Sequence, residues 1–212
     1  MPVYQLIEEL IFPPVHGAED GIVAIGGDLS PDRLMLAYHS GIFPWYNPGD
    51  PITWWSPDPR FVLFPEQLKV SRSMSRVMRK GLFEVTYDQD FEGVITQCQR
   101  ISRKGQKGTW ITDEMKEAYL MLFKLGHAKS VEVWQESELV GGMYGVDLGY
   151  VFSGESMFSK VSNASKVALI SFIRKFKEEG GILFDCQVYS DHLSTLGANE
   201  VPREKFLSYL DR

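Results

Sequence analysis

The pattern of hydrophobic and polar positions changes character near residue 60. Before that point the chain is rich in Pro, Gly and aromatic residues and shows little regular periodicity. One helix is predicted there, because Ser30 suits the N-cap, Pro31 suits the first turn and Gly41 ends the pattern. After that point helical and strand patterns alternate. We therefore predict a small N-terminal domain over residues 1–60 and a larger domain over residues 61–212.

The larger segment contains both helical and strand periods. Helices are predicted from Ser71 to Lys80, over Asp90–Ser102, from Thr112 to near Gly126, from Asn163 to Gly180, over Asp191–Leu196 and after Pro202. Strands are predicted over Phe83–Tyr87, Ser130–Gln135, Leu139–Val146, Tyr150–Glu155 and Ile182–Val188. Short turns join three consecutive strands, which indicates an antiparallel meander. The predicted fold class is α+β, a mixed sheet flanked by helices.

Composition excludes several classes of protein. The 212 residues are 44% hydrophobic and 24% charged, which is ordinary globular usage. No apolar run approaches the length of a membrane span, and no export signal is evident, so a cytoplasmic location is expected. Two cysteines allow no disulfide framework, and four scattered histidines show no metal-ligand spacing. We expect no metal and no nucleotide cofactor.

Charge is distributed unevenly along the chain. The net charge is −6, yet residues 69–107 contain nine Lys or Arg against four acids. Four of these cations share one face of the helix predicted after Ser71, namely Arg72, Arg76, Arg79 and Lys80. Such a face either attracts a polyanion or is simply solvated.

Polar residues interrupt the last predicted strand. Alternation puts Asp185 and Gln187 on one face, whereas Phe184 and Cys186 share the other. Burying an acid and an amide without partners costs a few kcal/mol. The pair therefore belongs either to a satisfied polar network or to the floor of a cleft. Glu155, in a hydrophobic neighbourhood, allows the same two interpretations.

Aromatic residues are dense in the Pro- and Gly-rich segment. Trp45, Tyr46, Trp54 and Trp55 fall within eleven residues. They form either an aromatic core or a set of ring faces on which unstacked bases could lie.

Seven short motifs, in this order, resemble the leucyl/phenylalanyl-tRNA–protein transferase family. They are Gly26–Pro31, Gly41–Tyr46, Trp54–Arg60, Gly108–Thr112, Glu138–Gly145, Gly154–Ser159 and Asp185–Gln187. The resemblance extends from about Phe12 to Leu210. It implies a small N-terminal domain and a larger domain similar to the GNAT acetyltransferases.

The resemblance also implies the reaction. Leu or Phe, and Met less well, would pass from aminoacyl-tRNA to the N-terminal Arg or Lys of a protein, which tags that protein for degradation by the N-degron pathway. The enzyme would be an acyltransferase that forms a peptide bond. An aminoacyl ester is already activated, so no ATP or metal is needed. The expected partners are aminoacyl-tRNA and the acceptor protein, with no membrane, and the expected state is a monomer.

The resemblance assigns residues to roles. It implies a catalytic set of Asp185, Gln187 and Glu155. It implies an apolar slot for the transferred side chain made by Met143, Phe152, Leu169 and Phe172. It places four aromatic residues around the terminal adenosine and aminoacyl end, namely Trp45, Tyr38, Trp110 and Tyr119. It implies that the tRNA phosphates are contacted by Arg72, Arg76, Arg79 and Lys80.

Two alternative functions stay open at this point. One is a coenzyme-A-dependent N-acetyltransferase, although the link from Ser156 to Asn163 lacks the glycines of a pyrophosphate-binding turn. The other is a non-catalytic RNA- or peptide-binding module that uses the basic helix and the aromatic loops.

Overall fold

Two β-sheets and seven α-helices are the main elements of the computed structural model, which describes residues 4–18, 20–101 and 110–211. The strands are β1 Tyr4–Leu6, β2 Ile22–Gly26, β3 Phe43–Pro44, β4 Thr53–Trp55, β5 Arg60–Leu63, β6 Glu84–Tyr87, β7 Ala128–Gln135, β8 Glu138–Asp147, β9 Val151–Ser159, β10 Leu183–Gln187 and β11 Asn199–Val201. The helices are α1 Pro31–His39, α2 Arg72–Arg79, α3 Phe91–Arg100, α4 Asp113–Lys124, α5 Ala164–Glu178, α6 Asp191–Ser194 and α7 Arg203–Leu207. Residues 102–109, which contain part of the basic stretch 69–107 and the start of the motif Gly108–Thr112, lie outside the described residues.

The smaller sheet has the strand order β1-β2-β4-β3. Its centre is Trp54, which is fully buried, donates from Nε1 to the Gly26 carbonyl at 2.8 Å and packs edge-on against Phe12. The periodicity of the sequence does not predict these strands, because they are two to five residues long and are separated by Pro and Gly. The small sheet is organised around the buried ring of Trp54 and not around the alternation of apolar and polar residues that marks longer strands.

The larger sheet has the order β11-β5-β10-β9-β8-β7-β6. Its strands are antiparallel except for the pair of β9 and β10, which is parallel. The predicted meander of β7, β8 and β9 is confirmed. Helices α3 and α4 cover the face that carries Tyr144 and Val146, and α5 covers the opposite face with Met143. The predicted α+β class with a mixed sheet flanked by helices is confirmed.

Side-chain caps begin four of the helices at the predicted residues. The side chains of Ser30, Ser71, Asp90 and Thr112 each accept a hydrogen bond from a backbone N–H in the first turn of the helix that follows. Asn163 also precedes its helix, but it has a left-handed backbone with φ of 73° and its side chain makes no capping hydrogen bond. It acts there as a turn residue, since Asn tolerates this conformation better than most residues do.

The two parallel strands separate part-way along their length. The ladder between β9 and β10 ends where Ser153 pairs with Asp185, whereas β9 continues to Ser159 alongside β8. This strand is therefore longer than predicted, because the pattern after Glu155 does not reveal the pairing with β8. Its extension shortens the link to α5 and opens a gap between β9 and β10.

None of the helices in the described ranges is both long enough and apolar enough to cross a membrane.

Candidate active site

A cavity of about 580 Å³ occupies the gap between β9 and β10. The segment from Phe43 to Trp45 forms one wall, so the N-terminal part of the chain and the larger sheet both contribute to it. Glu155 and Gln187 provide polar groups where the two strands part. The remaining lining is mostly apolar, as in pockets that bind small organic groups.

A hydrogen bond joins the two polar residues across the gap. Gln187 donates from Nε2 to Glu155 Oε1 at 2.7 Å and to Ser153 Oγ at 3.3 Å. Because the amide N–H groups are used in these bonds, the amide oxygen of Gln187 is left to accept a hydrogen bond from a ligand in the cavity that this residue lines. The two predicted residues Glu155 and Gln187 are thus brought together at the cavity floor.

The backbone at the end of β10 explains the orientation of Gln187. Its φ is 67°, in the left-handed region that non-glycine residues rarely adopt, and the register with β5 shifts between Asp185 and Gln187. An irregularity of this kind redirects a side chain away from the direction that simple alternation gives it. Cys186 and Gln187, which are adjacent in sequence, therefore both line the cavity.

The resemblance implies a catalytic role for Asp185, but the structure places this residue outside the cavity lining. It is buried and does not line the cavity, because its carboxylate forms a bidentate ion pair with Arg60, with Oδ1–Nε at 2.8 Å and Oδ2–Nη2 at 2.7 Å. The same carboxylate accepts a hydrogen bond from the Gln187 backbone N–H at 2.9 Å. The geometry makes Asp185 a residue that positions Gln187, since it has no exposed atom with which to touch a substrate.

Arg60 was not identified from the sequence. It donates to the Gly41 carbonyl at 3.1 Å, and its guanidinium lies between the rings of Phe43 and Phe206. The sequence does contain a signal for Arg60, because a charged residue stands at the start of the otherwise apolar strand β5. A buried arginine needs a carboxylate partner, and Asp185 is that partner.

Tyr38 and Tyr119 also differ from their predicted role beside an adenosine. Both are buried and neither lines the cavity. Tyr119 donates from its hydroxyl to Glu155 Oε2 at 2.8 Å, and the hydroxyl of Tyr38 is hydrogen-bonded to that of Tyr119. Their rings are closed off from the cavity by packing, so the hydroxyl groups hold the Glu155 carboxylate instead.

Glu155 has an unusual acidity in this setting. Burial raises the pKa of Glu155 from 4.5 to about 7, and the negative charge of Asp185 raises it further. The hydrogen bonds from Tyr119, Tyr38 and Gln187 act in the opposite direction, because they favour the charged form. Burial, followed by the charge of Glu155, also raises the pKa of Tyr119 well above its usual range. Near neutral pH the carboxyl group of Glu155 exchanges a proton readily, while Tyr119 stays protonated.

The predicted apolar slot is only partly open to the cavity. Met143 lines the cavity, but Phe152, Leu169 and Phe172 do not. Phe152 packs on Phe172 with ring centroids 4.3 Å apart and stacks on Phe184 at 5.6 Å. Phe152, Leu169 and Phe172 belong to the hydrophobic core, and Phe184 is the member of this cluster of rings that lines the cavity.

Two tryptophans of the predicted aromatic set, Trp45 and Trp110, line the cavity. Trp45 is 39% exposed and its ring contacts Trp55, with centroids 5.7 Å apart. Trp110 is half-buried on the same cavity. Both ring systems are accessible from the cavity, in contrast to Tyr38 and Tyr119.

The basic face of α2 is exposed as predicted from its spacing. Met74 anchors the helix in the core, and the four cations point outward, namely Arg72, Arg76, Arg79 and Lys80. None of the four forms an ion pair with a carboxylate in the part of the chain that the structure describes. Their charge is therefore available to an anionic ligand.

Comparison with known proteins decides the family. The model of the family described as "Leucyl/phenylalanyl-tRNA protein transferase" matches residues 62–211, and the model of its N-terminal domain matches residues 27–58. The chain belongs to the leucyl/phenylalanyl-tRNA protein transferase family. The predicted family and the predicted class of enzyme, a transferase, are confirmed.

Relatives in this family match nearly the whole chain. A protein of Flavobacterium johnsoniae with that family name is 59% identical over 98% of this chain and 99% of its own length. One of Syntrophus aciditrophicus is 56% identical over 99% of this chain and 88% of its own length. Among solved structures, a GCN5-related N-acetyltransferase from Kribbella flavida matches 80% of this chain and 60% of its own, with a TM-score of 0.37 and 10% identity.

Proposed function

We propose that this protein transfers leucine or phenylalanine, and methionine less well, from aminoacyl-tRNA to the α-amine of a protein whose first residue is Arg or Lys. The observation that carries the proposal is the hydrogen-bonded pair of Glu155 and Gln187 on the floor of a largely apolar cavity, in a chain of this family. The product, with a new apolar first residue, is marked for degradation. A cytoplasmic monomer fits this role.

The reaction needs positioning more than activation. The acceptor nitrogen attacks the ester carbonyl carbon, the new C–N bond forms, the C–O bond to the ribose breaks, and one proton passes from the amine to the ribose oxygen. An α-amine with a pKa near ~7.7–8.0 is partly neutral at physiological pH. Holding the amine and the ester in attack geometry can supply roughly 7–11 kcal/mol of the barrier.

Glu155 is the proposed proton carrier. It is the acid on the cavity floor, and a pKa of about 7 lets it accept a proton from the attacking amine and return it to the leaving ribose oxygen. The Gln187 amide oxygen accepts a hydrogen bond from the same amine and orients it. Arg60 and Asp185 have a positioning role. Arg60 holds the Asp185 carboxylate, which accepts a hydrogen bond from the Gln187 backbone N–H and so fixes the backbone there.

The donor occupies the apolar part of the cavity. Met143 and Phe184 form a wall suited to an unbranched-β side chain such as that of leucine or phenylalanine. A slot of this kind discriminates by about 1–3 kcal/mol for each misfit methylene group. The rings of Trp45 and Trp110 would stack on the terminal base, and the cations of α2 would contact tRNA phosphates.

A transfer assay tests the proposal. Leucyl-tRNA with a labelled leucine is incubated with the protein and with a peptide that begins with Arg, and label is expected on the peptide. The Gln187→Ala variant is expected to bind the tRNA and transfer far more slowly. Binding of tRNA without transfer by the wild-type chain would favour a non-catalytic module, and acetylation of the peptide from acetyl-coenzyme A would favour an acetyltransferase.

A further inference from the structure

The mouth of the cavity beyond Gln187 combines an exposed aromatic ring with negative charge. Tyr189 lines the cavity and is 59% exposed. One side of its ring is fixed by the buried Phe61, with centroids 5.2 Å apart. The exposed ring of Tyr189 is therefore held in place by its contact with Phe61.

Asp191 stands directly behind the hydroxyl of Tyr189. The hydroxyl donates to Asp191 Oδ1 at 2.8 Å, which fixes the orientation of the ring and leaves the second carboxylate oxygen available. This hydrogen bond, and then the charges of Asp191 and Glu200, raise the pKa of Tyr189. Neither carboxylate forms an ion pair with any residue in the described ranges.

The same mouth contains a second cavity residue, His192, that bears on the local charge. Burial, and then the charge of Lys166 on α5, lower the pKa of His192, so this imidazole is neutral at physiological pH. It adds no positive charge to offset Asp191 and Glu200. A lysine amine or an arginine guanidinium would meet an aromatic face and a carboxylate there, which are the two groups that bind such cations best.

We infer that Tyr189 and Asp191 bind the cationic side chain of the acceptor's first residue and so determine the preference for Arg or Lys. The inference rests on the proposed function, because it assumes that the acceptor amine is held at Gln187. Gln187 lies only two residues before Tyr189, so one amino acid can place its α-amine at Gln187 and its side chain at Tyr189. The transferred residue then occupies the opposite, apolar side of the cavity.

Acceptor peptides that differ only in their first residue test this inference. Arg, Lys and citrulline peptides are compared, since citrulline has nearly the shape of arginine without its charge. Asp191→Asn is expected to lower kcat/KM for the Arg and Lys peptides about three- to tenfold, mainly through a higher KM, and to leave the citrulline peptide unchanged. Tyr189→Leu should show the same selective loss, and Tyr189→Phe, which keeps the ring, a smaller one.

Controls separate this inference from the function on which it rests. Glu138→Gln removes another exposed carboxylate, at the start of β8, and should change none of the rates. Equal losses for the Arg and citrulline peptides, or no loss in Asp191→Asn and Tyr189→Leu, would overturn the inference while transfer by the wild-type chain upholds the function. If the wild-type chain transfers leucine to no peptide, the proposed function fails and this inference fails with it.

Discussion

Glu155 shows how several weak contacts set the chemistry of one residue. Its two oxygens are held by separate donors, Tyr119 on one side and Gln187 on the other. These hydrogen bonds favour the charged carboxylate, but burial outweighs them and the pKa is about 7. A group that is half ionised at physiological pH can both accept and release a proton.

The rate of transfer should therefore depend on pH through Glu155. Below its pKa of about 7 the carboxyl group is protonated and cannot accept a proton, so single-turnover transfer is expected to rise as the pH increases from 6 to 8. Glu155→Gln should lose about 100-fold or more in rate and lose the inflection near pH 7. Rapid-quench measurements with saturating leucyl-tRNA provide the profile. A profile in Glu155→Gln that keeps the inflection would assign it to the acceptor amine instead.

The same pKa has a consequence for stability that requires no substrate. The pKa of Glu155 is higher in the folded protein than the ordinary value of 4.5, so the folded state binds the proton more tightly than the unfolded state. The stabilisation from this proton is complete below pH 4.5 and is lost as the pH rises to about 7. Urea unfolding of the wild-type chain should therefore lose more stability over this range than unfolding of Glu155→Gln.

At the scale of elements, the separation of β9 from β10 makes the site possible. A parallel ladder that continued past Ser153 and Asp185 would fill the space in which the cavity lies. Gly154 also contributes, because a Cβ at this position would overlap the ring of Phe184. Backbone and ring can thus approach closely at the point where the strands part.

Helix α2 makes a separate and measurable contribution. Replacing Arg76 and Arg79 by Gln should weaken tRNA binding and flatten its salt dependence by about one unit of log–log slope for each phosphate that the variant no longer neutralises. Filter binding between 50 and 300 mM salt measures the slope. Lys124→Gln with Lys160→Gln, two exposed cations outside α2, is the matched control. An unchanged slope in the Arg76/Arg79 variant would remove α2 from the tRNA interface.

At the scale of the whole molecule, Arg60 joins distant parts of the chain. Its guanidinium binds Asp185 on β10 and the Gly41 carbonyl after α1, and it lies against Phe206 of α7. All of these contacts are buried. The side chain that holds Asp185 therefore also ties the N-terminal segment and the C-terminal helix to the larger sheet.

Breaking this ion pair should destabilise the fold. Arg60→Ala leaves the Asp185 charge buried without a partner and is expected to lower the free energy of unfolding by about 3–5 kcal/mol. The double variant Arg60→Met with Asp185→Leu should cost less than either single change, because it leaves no unpaired charge. Urea denaturation measures both. A loss below about 1 kcal/mol in Arg60→Ala would contradict a central role for this pair.

Local signals account for much of what could be predicted. The capping residues Ser30, Ser71 and Thr112 were identified correctly, because a cap depends on residues only three positions apart. The meander of β7, β8 and β9 was correct for the same reason, since neighbouring strands joined by short turns pair with each other. The short strands β1 to β4 were missed, because their pairing depends on residues far apart in the sequence.

The sequence by itself determined the family and the fold class, and it named Asp185, Gln187 and Glu155 as the candidate catalytic set, since motifs and periods are local properties of a chain. Only the tertiary structure decided that Asp185 is bound by Arg60, that Tyr38 and Tyr119 hold Glu155, and that Phe152 and Phe172 are core. A side chain's role depends on which groups from distant segments surround it. Spacing along the chain places a residue on a face, but burial and its partners decide whether it meets the substrate or supports a residue that does.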